Sequence, residues 1–183
     1  MRAKLRAVVT VVTTAVVLST GVPHAGAAKK PKKPKATTTT AAKAAAFPSD
    51  ACKLLTLSEV TPLVVGATEG RPVRSSGPGN EVTCRWDTPD TLQDVVLTVT
   101  QLPPGVSSAV AKAGLAADAK DKGKTVSGIG DFAVVRSLIP PDAEVMALVG
   151  KLLFSLDYSS PSPLGSTRQD DVVALAKLAV GRM

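Results

Sequence analysis

The sequence predicts an α+β domain: a mostly antiparallel sheet of about five strands with three helices packed on it, in the order α-β-β-α-β-β-β-α. Two observations carry this. Runs of alternating apolar and polar residues, such as Glu81 to Trp86 and Leu152 to Ser159, have the period of strands with one buried face. The connections between them are of hairpin length, which favours antiparallel pairing, with helices left to cover one or both faces.

In chain order, Thr56-Leu57-Ser58-Glu59 has the spacing of a capping box, so the first helix is expected to begin near Leu57 and stop at Gly66. Pro62 is expected to bend or shorten it by removing a backbone donor. Arg71 to Asn80, rich in Gly, Pro and Ser, reads as an exposed loop. In the first strand Val82, Cys84 and Trp86 face one side and Glu81, Thr83 and Arg85 the other, leaving Arg85 solvated or paired with an acid across the strand. Asp94 to Leu102 is the second strand. The second helix runs from about Ser107 to Asp121, with Gly123 beyond its end and Val106, Val110 and Leu115 as its apolar side.

Ser127-Gly128-Ile129-Gly130-Asp131 is a turn before a third strand, Phe132 to Leu138. Ala143 to Val149 and Leu152 to Ser159 flank the hairpin signal Gly150-Lys151. The last strand is the clearest, with Leu152, Phe154, Leu156 and Tyr158 inward and Leu153, Ser155 and Asp157 outward. After Pro161 and Pro163, Ser166 or Thr167 is expected to cap a final helix. Asp170 and Asp171 stand in its first turn and Lys177 and Arg182 in its last, matching the helix dipole.

Charge divides the chain. All nine basic residues before Pro48 stand without an acid, whereas the remainder carries thirteen basic and fifteen acidic residues. The basicity thus belongs to the tail. A fold that bound nucleic acid would concentrate it on the domain instead. Arg2, Lys4 and Arg6 precede an apolar run from Ala7 to about Val22 and the small-residue site Ala25-Gly26-Ala27. This is the layout of an export signal over residues 1–27, with membrane attachment only if it stays uncleaved.

Residues 28–47 read as a solvated Lys/Pro/Ala/Thr-rich tether, and 48–183 as a single domain. Lys29, Lys30, Lys32, Lys33 and Lys35 are candidates for contact with anionic envelope material, and the Thr run for O-linked sugars. In an oxidising compartment Cys52 and Cys84 have one possible pairing. The alternatives are two buried free thiols or a metal pair, though two thiolates with no histidine nearby do not complete a tetrahedral zinc site.

The opening Cys52-Lys53-Leu54-Leu55-Thr56-Leu57-Ser58-Glu59-Val60, the later Cys84-Arg85-Trp86 and the turn Gly128-Ile129-Gly130-Asp131 together resemble a group of actinobacterial secreted proteins and lipoproteins. The domain of that group has no assigned function, so the resemblance implies an extracytoplasmic place and supplies no catalytic residues. The lipid-anchor cysteine of many such proteins has no counterpart here.

The only histidine, His24, falls in the segment expected to be removed. Histidine-activated nucleophiles and histidine-bearing zinc sites are thereby excluded from the mature chain, and no Ser-x-x-Lys pattern occurs. Gly128 to Ala133 formally matches a dinucleotide fingerprint, but β-branched Val134 and Val135 follow where a helix is required. Asp87 with Asp90, and Asp142 with Glu144, are candidate carboxylate pairs at turns. Trp86, Phe154 and Tyr158 are either core or ligand-facing.

The expectation is an exported, non-catalytic cell-envelope protein, secreted or wall-associated, without cofactor or metal. It would bind an envelope protein, a wall polymer or an apolar, lipid-like small molecule, and no nucleic acid. The alternatives are a carboxylate-only glycan hydrolase and a structural wall protein held by its basic tail.

Overall fold

A computed structural model describes residues 45–74, 80–137, 142–161 and 168–183. A 3-10 turn, Ala51–Lys53, leads to α1 (Leu57–Val60), β1 (Arg71–Val73), β2 (Glu81–Asp87) and β3 (Asp94–Gln101). Then follow α2 (Ser108–Asp121), β4 (Gly123–Val126), β5 (Phe132–Arg136), β6 (Ala143–Val149), β7 (Leu152–Ser159) and α3 (Gln169–Gly181). The seven strands form one sheet in the order β1-β2-β3-β7-β6-β5-β4. Every neighbouring pair is antiparallel. Among the described residues no helix is long and apolar enough to cross a membrane.

Directly opposed residues of an antiparallel pair share a face, so the register sorts the side chains. Cys84, Leu97, Leu156, Val145 and Val135 form one row across the sheet, and Trp86, Val95, Tyr158 and Ala143 the next. This face is covered. Leu54 and Leu55, Val60 and Val64 around α1, and Val172, Leu175, Ala176 and Ala179 of α3 pack on it in a single core. Each fully buried leucine here contributes roughly 1.5–3 kcal/mol. Cys52 and Cys84 are joined, with Cα atoms 5.0 Å apart, so the disulfide ties the 3-10 turn to β2.

The opposite face is covered over only part of its width. α2 packs on β4, β5 and β6. Ala111, Leu115 and Ala119, one turn apart, meet Val134 and Leu148. The hydroxyl of Ser108 donates to the Gly150 carbonyl at 2.7 Å, fixing the start of α2 to the β6–β7 turn. α2 reaches β7 only at its near end, where Leu153 packs against the cluster around Leu115.

The α+β class and the antiparallel sheet agree with expectation; the strand count does not. Arg71–Val73, expected as loop, is an exposed edge strand paired to β2, and Pro72 is tolerated because an edge need not donate on its outer side. Gly123–Val126 is the other edge. Gly123 is required there by close approach: a Cβ would lie 2.6 Å from Val134 Cγ1.

α1 ends at Val60, well short of Gly66, with its capping box in place: Glu59 Oε2 accepts the Thr56 amide at 2.8 Å. Val110 of α2 is 64% exposed and Val106 39%, so only Leu115 of the expected apolar side points inward. The helix lies on alanines instead. β5 ends at Arg136. α3 has no basic residue in its last turn, because Arg182 stands at its C-cap.

Candidate functional site

The site is built where α2 stops and the sheet continues uncovered. Arg85, Val96, Asp157, Glu144 and Arg136 stand in register across β2, β3, β7, β6 and β5, forming a charged row on the partly bare face. The adjoining row, Thr83, Thr98, Ser155 and Met146, runs from hydroxyl to apolar as it nears α2. Thr83 and Thr98 share a hydrogen bond of 3.2 Å.

Between these rows and α2 lies a shallow pocket of about 260 Å³. Leu115, Met146 and Leu153 make its apolar wall, Thr98, Thr100 and Ser155 its hydroxyl floor, and Glu144 its one acid. Glu144 is engaged with Arg136 Nε. That contact holds the guanidinium even further above its ordinary range, against burial.

Arg85 reaches Asp94 Oδ2 at 2.8 Å. Its Nε also lies 3.4 Å from Asp87 Oδ2, an ion-pair contact without hydrogen-bond geometry. Arg71 donates to the same oxygen of Asp87 at 2.6 Å and holds that carboxyl below its usual range despite burial. Burial raises Asp94, with Asp87 and Asp142 adding to it and Arg85 opposing. Asp157 is raised furthest, to about 6, first by burial and then by the charge of Glu144. Among the described residues its carboxylate has one hydrogen-bond partner, Ser155 Oγ at 3.3 Å.

Of the residues singled out in the sequence, Glu144 stands in this site, whereas Trp86, Phe154 and Tyr158 are at most 5% exposed and packed in the core of the covered face, Phe154 also bordering the pocket. Gly70 lies against the indole, where a Cβ would come within 2.5 Å of Nε1. An open groove of about 830 Å³ beside α1 has Cys52, Leu55, Glu69 and Trp86 in its lining. A third concavity, about 450 Å³, lies between Leu63 and the Leu175 and Leu178 of α3.

Asp87 and Asp90 do not form a pair: Asp87 binds arginines, and Asp90 accepts from the Thr88 hydroxyl. Asp142 accepts the Ser160 amide at 3.2 Å, while Glu144 meets Arg136. Gly128 and Gly130 both have positive φ, 79° and 54°, and Asp131 Oδ2 accepts the Gly150 amide, so this segment is a turn.

His24, Lys29, Lys30, Lys32, Lys33, Lys35, Ser166 and Thr167 lie outside the described residues. Among the described residues no group of three or more His, Cys, Asp or Glu is placed to hold a metal ion.

The pairing of Glu144 with Asp157 was missed, although the hairpin signal contained it. With Val149 opposite Leu152, counting five residues back on each arm sets one acid against the other.

Fold and site together define an α+β domain with one sheet face packed under α1 and α3 and an opposite face, bearing a charged row, that among the described residues α2 covers in part. The chain matches no protein-family model, no curated protein and no solved structure with which it was compared.

Proposed function

We propose that this is an exported, non-catalytic cell-envelope protein whose domain holds a partner or an apolar small molecule outside the membrane. The observation that supports it best is the pocket at the end of α2. It offers an apolar wall from Leu115, Met146 and Leu153 beside the hydroxyls of Thr98, Thr100 and Ser155, and its one acid is paired with Arg136. Ligand sites commonly combine apolar lining with a few convergent polar groups. The export-signal layout and the resemblance to actinobacterial secreted proteins and lipoproteins belong to the same proposal.

The test is a titration of the purified full chain with the neutral fluorescent probe N-phenylnaphthylamine. Saturable binding is expected, and it is expected to fall at least about tenfold in Leu115→Asp, which places a charge on the apolar wall. Binding of equal strength in the variant would remove the pocket from the proposal, and no saturable binding would count against the apolar ligand.

A carboxylate-only glycan hydrolase has one observation in its favour. Asp157, protonated up to about 6, stands opposite Glu144, and acid–base pairs arise where environments separate two carboxyls. Turnover of cell-wall glycan by the purified chain, lost in Asp157→Asn, would establish it. A wall protein held by its lysines would instead be released from envelope fragments by salt.

A further inference from the structure

Asp157 and Glu144 are directly opposed on neighbouring antiparallel strands, the placement in which like charges on a sheet repel. The cations of their row are committed elsewhere. Arg136 is taken by Glu144, and Arg85 by Asp94 and Asp87. Among the described residues the Asp157 carboxylate is hydrogen-bonded by the Ser155 hydroxyl alone, and Arg136 offsets its charge only through space.

The charged groups around it come from every neighbouring element. Glu144 stands on β6, Arg136 on β5, Asp94 on β3 and Arg85 at the far end of the row on β2. Asp118 of α2 acts on Arg136, and Asp142 acts on Asp94. Acids outnumber the available arginines throughout.

We propose that the Asp157–Glu144 pair is a proton switch set in the middle of the sheet: acidification places one proton on Asp157, removes a negative charge from the bare face and strengthens the β6–β7 pairing. Burial and the Glu144 charge, which raise Asp157 to about 6, agree with this. The folded domain then binds this proton more tightly than the unfolded chain, whose aspartates titrate at their ordinary value of about 3.9. The stabilisation is therefore complete below that ordinary value and is lost as pH rises through about 6. The switch operates whether or not the pocket takes a ligand.

The experiment is a carbon-detected NMR titration of side-chain carboxyls in the full chain, in wild type, Asp157→Asn and Glu144→Gln. One carboxyl is expected to titrate near 6 and to vanish in Asp157→Asn. Glu144→Gln is expected to lower its midpoint by about one unit, a tenfold loss of proton affinity. An ordinary midpoint for Asp157 overturns the proposal. So does a raised midpoint that Glu144→Gln leaves unmoved, since burial alone would then account for it. Wild type and Glu144→Gln decide the question even if Asp157→Asn does not fold.

Discussion

Arg182, at the C-cap of α3, donates to both carboxylate oxygens of Glu59 in α1, at 2.8 and 2.5 Å, and to the Leu54 carbonyl at 2.8 Å. One guanidinium thus joins the last helix to the first, although the two residues are 123 positions apart. Two-pronged arginine–carboxylate contacts of this kind are geometrically specific and stronger than single neutral hydrogen bonds.

Removing that contact should loosen the covered face at its rim. Arg182→Ala is expected to destabilise the domain by about 1 kcal/mol, a modest figure because the pair is partly exposed and screened. Urea unfolding of wild type and variant measures it, and a midpoint unchanged by the substitution would refute the assignment.

The same pair carries an acid limb. Hydrogen bonding by Arg182, then by the Thr56 amide, lowers Glu59 to about 2. A lowered carboxyl stabilises the fold above its unfolded value of about 4.3, and that contribution is lost as pH falls through the folded value. Stability should decline between those limits, and less steeply in Glu59→Gln than in wild type. Unfolding midpoints at a series of acid pH values would show the difference in slope.

Asp87 is a harder site to alter. Its side chain is buried and accepts from Arg71, so Asp87→Ala removes that charge-assisted hydrogen bond, while Arg85 keeps Asp94. A loss of about 1.5–3 kcal/mol is expected. Asp87→Ala with Arg71→Met should cost little beyond Asp87→Ala alone, and calorimetric melting of the three forms tests the coupling.

The disulfide closes a loop of 32 residues across the covered face. Its loss, in Cys52→Ala with Cys84→Ala, should cost roughly 3–4 kcal/mol in the chain-entropy account. The melting temperature should fall accordingly, and reductant should then have no further effect on the variant.

Gly130 supplies a backbone test. At φ 54° its added Cβ would sit 2.3 Å from the Leu148 carbonyl oxygen, an atom held in the sheet. Gly130→Ala should destabilise by more than about 2 kcal/mol, well beyond the strain of a left-handed residue alone. Chemical denaturation resolves a change of that size.

Much of this was legible because strands and turns announce themselves locally. Cys84 and Trp86 alternate with Thr83 and Arg85 along β2, and Gly150-Lys151 marks the β6–β7 hairpin, so class, pairing sense and inward residues follow from spacing. The edges were harder to see. β1 holds a proline and exposes all three of its residues, so nothing in its pattern separates it from a loop. The seating of α2 was hidden as well. It rests on Ala111 and Ala119 around one leucine, and alanines, abundant on all sides of that helix, do not say which side is down.

The site was concealed for a different reason. Asp157 looks like an ordinary outward acid and Glu144 like one half of a turn pair with Asp142, and only the register brings the two together. Aromatic residues drew the sequence reading toward Trp86, but a large ring on a covered sheet is there to fill volume.

The amide of Ala46 donates to the carbonyl of Met183, and Ala45 and Met183 both pack against the core beneath the covered face. Both ends of the described chain therefore leave from behind the sheet. A reporter dye or solid support joined at Met183 would sit on the covered side, away from the charged row.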